Sequence, residues 1–137
     1  MFLVQWHSRS GTKPSGGFKR SIRRSDKKLA WRGGTPTLSR IGEEKRVAAK
    51  GRGNTRKTKL FQTKHASIID PKTKKTMRAE ILAVTENPAN RQFTRQNIIT
   101  KGAKIKVSLE DREAIAIVTS RPGQHGTVQA VITEEKP

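Results

Sequence analysis

The chain has 137 residues, 31% of them hydrophobic, with 30 Lys+Arg against 11 Asp+Glu and a formal net charge of +19. Apolar content this far below the roughly 45–50% of an average domain (a figure that also counts Gly) excludes burial of the full length and predicts a small core with a poorly packed extension. Absence of cysteine excludes disulfide frameworks and thiolate metal sites; the apolar start Met1–Val4 is too short for a signal peptide, and no run approaches the roughly 18 apolar residues of a membrane span, so the expectation is a soluble, intracellular protein.

The positive charge is uneven. Residues 1–64 hold 18 Lys/Arg and three acids, Asp26, Glu43 and Glu44, a net of +15, whereas residues 65–137 hold 12 Lys/Arg and eight acids, a net of +4. One end is built to sit against a polyanion. A membrane-surface binder needs a basic amphipathic helix with a broad apolar face. Here the most basic segment is thin in apolar residues and interrupted by glycine, which favours nucleic acid.

Residues 1–42 read as a basic arm, broken by Gly11, Pro14, Gly16, Gly17, Gly33, Gly34 and Pro36. Between the glycine pairs, Phe18, Ile22 and Leu29 share helical spacing, and the remaining face is basic. Cations at this density repel one another in isolation, so the arm is expected to order only beside phosphates.

The pattern turns to strands near Glu43, and residues 43–137 are expected to form the folded domain. Arg46 to Lys50 and Arg56 to Ile69 flank the turn-like Gly51-Arg52-Gly53-Asn54, the signature of a hairpin. Asp70 to Lys75 is a solvated turn opening with Asp-Pro. Met77, Ala79, Ile81 and Ala83 alternate with Arg78, Glu80 and Leu82, a strand period. Asn87 to Asn97 breaks that period: Asn87 suits an N-cap and Pro88 the first helical position. A helix there turns Ala89 and Phe93 toward the core and stands Arg91 and Arg95 together outside, as a phosphate clamp or as ordinary surface arginines. Ile105, Val107 and Leu109 alternate with lysine and serine, Ala114 to Thr119 reads as a strand apolar on both faces, Arg121 to Gly126 as a turn, and Val128, Ala130 and Ile132 as one face of a last strand. Short strands joined by Gly/Pro turns predict an all-β fold, a small antiparallel β-barrel with a basic, irregular N-terminal extension.

Enzymatic constellations fail one by one. Gly11 to Phe18 resembles a phosphate-binding loop only in glycine content, since Gly17 and Phe18 stand where Lys and Ser/Thr belong. His7, His65 and His125 are too scattered to form a metal site, and most carboxylates fall in turns or at the terminus. Neither a catalytic residue nor a cofactor is implied. Aromatics are scarce, and Trp6 and Trp31 lie in the arm, where each either stacks on a base or packs on its own protein. That scarcity favours recognition of backbone and shape over readout of single strands.

Specific strings then become recognisable. Lys13-Pro14-Ser15-Gly16-Gly17 followed by Lys/Arg resembles the start of the archaeal and eukaryotic-type small-subunit ribosomal protein eight family. Gly51 to Lys57 is similar to its basic hairpin, with a changed order at Arg52 and Gly53, and Asp70-Pro71-Lys72-Thr73 to its turn. Glu86 to Arg91 and Asn97 to Ala103 resemble its most distinctive block, and Val118 to Gln124 with Gly126 its C-terminal turn, with His125 where Asp is commoner. The strings run from residue 13 to about 132, and the short length resembles archaeal members. The resemblance implies a structural constituent of the small ribosomal subunit: a β-barrel with a basic arm, partnered by small-subunit rRNA and neighbouring ribosomal proteins, with no membrane or small-molecule substrate. A ribosome-assembly factor sharing the barrel and a non-specific DNA-compacting protein are the alternatives.

On this reading the arm contacts RNA through Arg9, Lys13, Lys19, Arg20, Arg23, Arg24, Lys27, Lys28 and Arg32. The hairpin adds Arg52, Arg56, Lys57 and Lys59, and the barrel docks through Asn90, Arg91, Arg95, Lys101 and Arg121.

Overall fold

Alternating apolar residues fold as strands in the computed structural model, which describes residues 4–7, 9–20, 28–51, 53–109 and 112–135. The chain divides into two compact units, Met1–Pro36 and Thr37–Pro137. The division falls six residues before the expected boundary at 42, because Ser39–Ile41 is already a strand of the second unit.

In the first unit, β1 (Val4–Trp6) and β2 (Arg32–Gly34) form an antiparallel ribbon in which Trp6 faces Arg32. His7 N–H donates to the Trp31 carbonyl at 2.8 Å and extends the pairing. Leu29–Trp31 makes a single 3-10 turn, and Phe18 belongs to a separate hairpin. Ile22 lies outside the described residues. Trp31 and Gly33 are half-buried, and every other described residue of this unit is exposed.

The second unit continues with β3 (Ser39–Ile41), β4 (Lys45–Lys50), β5 (Arg56–Thr63), β6 (His65–Ile69), β7 (Thr76–Glu86), α1 (Arg91–Arg95) and β8 (Ile98–Ile99). It ends with β9 (Lys104–Ser108), β10 (Glu113–Val118), α2 (Pro122–His125) and β11 (Gln129–Glu135). Strands β6, β7, β9, β10 and β11 close a barrel. Each barrel strand runs antiparallel to the next in sequence. Five is an odd number, so first and last run in the same direction and the closing pair β6·β11 is parallel. The barrel is therefore antiparallel at every seam but one.

The expected hairpin is β4–β5, paired from Lys45↔Gln62 to Lys50↔Arg56. It belongs to a second sheet of order β4-β5-β3-β8. The expected single strand Arg56 to Ile69 breaks at Lys64 as the chain passes from this sheet into the barrel. There the Thr63 hydroxyl donates to the His65 carbonyl at 3.1 Å and accepts from its N–H at 3.2 Å. Ser39, fully buried, donates to the Leu60 carbonyl at 2.6 Å and ties β3 to β5.

The core is aliphatic: Leu60, Ile68, Ile81, Ile99, Ile105, Val107, Val118, Val128 and Ile132 are buried in one cluster, all within the second unit. Inward alternation on β7 runs through Ala79 and Ile81, then skips to Val84 at a register shift. Ala83 is left half-buried and Leu82 exposed. On β10 only Ala114, Ala116 and Val118 face inward, while Ile115 and Ile117 are half-buried; the strand is covered on one face rather than both.

Candidate nucleic-acid interface

The loop from Thr119 to Gln129 is closed on itself by hydrogen bonds and carries α2 against β5. Ser120 closes its base: the hydroxyl donates to the Thr127 carbonyl and accepts from Gln129 N–H, both at 2.9 Å. Pro122 occupies the first turn of α2, where a missing N–H costs nothing. Gly126 ends α2 at φ 75°, donating to the Pro122 carbonyl at 3.0 Å. A Cβ at Gly126 would lie 2.5 Å from Thr58 Cγ2, so α2 reaches β5 only because this position is glycine. The expected turn Arg121 to Gly126 is thus a one-turn helix seated on β5.

Lys101 arrives by a different route. Gly102 N–H donates to the Val118 carbonyl at 2.7 Å, and Val118 N–H to the Ala103 carbonyl at 2.9 Å. This pairing holds the Thr100–Gly102 turn beside the exit of β10. Lys57 comes from β5, one residue from the Thr58 that abuts Gly126. Lys57, Lys101 and Arg121 therefore line one concavity of about 480 Å³, together with Thr119, Gln124 and His125. Its described lining contains no acid. Elsewhere, ion pairs among the described residues join Arg46 to Glu44 at 2.5 Å, Lys104 to Glu86 at 2.8 Å and Lys106 to Glu113 at 2.6 Å. Among the described residues no carboxylate pairs with the three cations of the concavity. Exposed, acid-free cations held by hydrogen-bonded backbone suit a polyanion, because a phosphate oxygen there meets positive charge without displacing a competing carboxylate.

His125 is held beside Arg121: its Nδ1 accepts from Arg121 N–H at 3.2 Å. Thr119, Gln124 and His125 are absent from the site residues expected from sequence. The string Val118 to Gln124 marks the loop, but only its cation stands out by residue type.

Arg91 and Arg95 are both exposed on α1, four residues apart, as both a clamp and ordinary surface arginines require. They do not line the concavity of Lys57, Lys101 and Arg121. The helix is shorter than expected and starts at Arg91, because Asn90 is the N-cap, accepting from Gln92 N–H at 2.9 Å. Asn90, expected on RNA, thus uses its side-chain oxygen within the protein. Asn87, expected as the cap, is buried instead: its Nδ2 donates to the Ile98 carbonyl at 3.1 Å and its Oδ1 accepts from Ala89 N–H and the Thr100 hydroxyl. Ala89 is exposed and Phe93 half-buried.

Arg56 and Lys57 are exposed on β5, whereas Lys59 is half-buried opposite Val47. In the first unit Arg9, Lys13, Lys19, Arg20, Lys28 and Arg32 are all exposed, and Lys28 Nζ stands 5.3 Å from the Trp31 ring centroid. Arg23, Arg24, Lys27 and Arg52 lie outside the described residues. Arg46, His65 and Arg78 line a second concavity of about 390 Å³ with Glu44, and nothing in the sequence singles them out. Among the described residues no group of His, Asp and Glu could hold a metal ion, and no helix is long and apolar enough to cross a membrane.

Comparison with known proteins accounts for the recognisable strings. A family model described as ribosomal protein S8e matches residues 6–133. The small ribosomal subunit protein eS8 of Pyrobaculum aerophilum is 41% identical over 123 residues, covering 89% of this chain and 90% of its own. That of Methanosphaera stadtmanae is 42% identical over 132 residues, covering 96% of this chain and all of its own. That of Hyperthermus butylicus is 39% identical, covering 96% and 93%. Matched nearly end to end by the family model and by these relatives, the chain belongs to the ribosomal protein S8e family.

Proposed function

We propose that this protein is a structural constituent of the small ribosomal subunit in the cytoplasm, binding and stabilising folded small-subunit rRNA through phosphate contacts. Its family is a ribosomal one rather than an enzyme family. The observation that carries the reading is the convergence of Lys57, Lys101 and Arg121, from three separate elements, on one acid-free concavity. The barrel sets where the protein docks, with that concavity and the exposed Arg91 and Arg95 against phosphates. The basic arm then orders between RNA helices, its cations offsetting the repulsion between phosphates of distant segments. Neighbouring ribosomal proteins are the other partners, and the function requires no cofactor or small-molecule substrate.

The test is sedimentation with small subunits in moderate salt, followed by competition between small-subunit rRNA and duplex DNA. The reading expects the protein on mature subunits and displacement by rRNA at far lower concentration. Recovery only on precursor particles would point to an assembly factor, and equal competition by duplex DNA to a DNA-compacting protein.

A further inference from the structure

An aromatic ring held out in water needs a reason. Phe18 is 86% exposed, more than any other large hydrophobic residue described. It is not on a loose end. Thr12 and Phe18 form an antiparallel bridge, with Lys13 N–H donating to the Gly17 carbonyl at 2.7 Å and Lys19 N–H to the Gly11 carbonyl at 2.8 Å. The turn is closed by Gly16 N–H on the Lys13 carbonyl at 3.0 Å, with Gly16 at φ 84°, a conformation glycine adopts without strain. The hairpin thus presents a ring in a defined place.

The surroundings identify what it meets. Arg9, Lys13, Lys19 and Arg20 flank the ring in sequence, all exposed, and the chain has no acid before Asp26. A second copy would bring the same cations against each other. A polyanion is attracted, and the part of a polynucleotide that matches a flat apolar ring is the face of a base. Such stacking tolerates any base, because each has a π-face, and it leaves the cations beside the ring free to meet the flanking phosphates.

We propose that Phe18 is a base-stacking residue, its hairpin offering the ring to an unpaired base of the RNA. This rests on the RNA-binding reading above and adds a contact by stacking to one otherwise made by charge. The test measures binding of the full chain to small-subunit rRNA, and to heparin as a polyanion without bases, for the wild type and for Phe18→Ala, Phe18→Leu and Phe18→Trp. Wild-type binding to rRNA checks the underlying reading, and its absence would overturn both. Given that binding, Phe18→Ala and Phe18→Leu are each expected to lose about tenfold in rRNA affinity or more, and Phe18→Trp to keep it. Heparin affinity and the dependence of rRNA binding on salt should not change, since no cation is removed. Unchanged rRNA affinity in Phe18→Ala would overturn the stacking role alone. Full affinity in Phe18→Leu would overturn it in favour of an apolar contact, such as one with a protein. Thermal unfolding checks that the variants fold, and the core lies entirely outside this hairpin.

Discussion

Asn87 shows how a side chain can be legible in type and illegible in role. Followed by Pro88, it satisfies every local rule for a helix N-cap, yet beside the local Ala89 N–H its partners are Ile98 and Thr100, eleven and thirteen residues further on. Those partners exist only once β8 packs against the end of β7. Asn87→Ala leaves the Ile98 carbonyl and Ala89 N–H without their partner and should cost about 2–3 kcal/mol in urea unfolding. Asn90→Ala, which removes the true cap of a short exposed helix, should cost about 1 kcal/mol. Asp70 is legible in both type and role because its interactions are local. Its carboxylate accepts from Lys72 N–H at 2.9 Å and from the Thr73 hydroxyl at 2.8 Å. The Lys72 bond first, and the Thr73 bond next, hold its pKa below the ordinary aspartate value. A depressed folded-state pKa stabilises the fold at pH above the unfolded value, and that contribution is lost as pH falls through the lower folded value. Stability should therefore decline below about pH 4 more steeply in the wild type than in Asp70→Asn, as read by unfolding curves across that range.

At the scale of elements, alternation suffices wherever one face of a strand is buried and the other wet. It locates β9 and the inward face of β11, whereas the β4–β5 hairpin is marked by its Gly-rich turn rather than by alternation. It misjudges β7, where a register shift transfers the inward face from Ile81 to Val84, and a bulge leaves no period of its own in sequence. The helix α2 is legible as Pro and Gly at the ends of a turn, but not as the piece that carries Arg121 over β5. Gly126 is the pivot of that placement. Gly126→Ala adds a Cβ at a left-handed backbone position and drives it against Thr58, so it should destabilise by at least about 1–2 kcal/mol and weaken rRNA binding by displacing the loop. Arg121→Ala should leave the unfolding midpoint nearly unchanged while lowering the slope of log affinity against log salt by about 1. A fall in stability with no change in slope would remove Arg121 from the proposed interface.

For the whole molecule, the charge asymmetry of the sequence does not coincide with the two units: residues 1–36 hold nine Lys/Arg and one acid, a net of +8, whereas residues 37–137 hold 21 Lys/Arg and ten acids, a net of +11 spread over nearly three times the length. The second holds the entire aliphatic core, whereas the described residues of the first include none that is buried. On the proposed function, an arm without a core of its own is stabilised by the RNA it binds. Which cations of the second unit act together is not legible in the sequence. Lys57, Lys101 and Arg121 are separated by 44 and 20 residues, and only the pairing of Gly102 and Ala103 with Val118, with α2 seated on β5, unites them. The central claim is a division of labour in which the arm supplies most of the phosphate neutralisation and the barrel supplies the docking site. The most direct test is the salt dependence of binding to small-subunit rRNA for the full chain and for residues 37–137. The shorter chain should remain folded and bind rRNA in preference to duplex DNA, with a markedly shallower slope, because each phosphate that the arm no longer neutralises takes about 0.7–0.9 from it. An unchanged slope in the folded shorter chain would contradict the account.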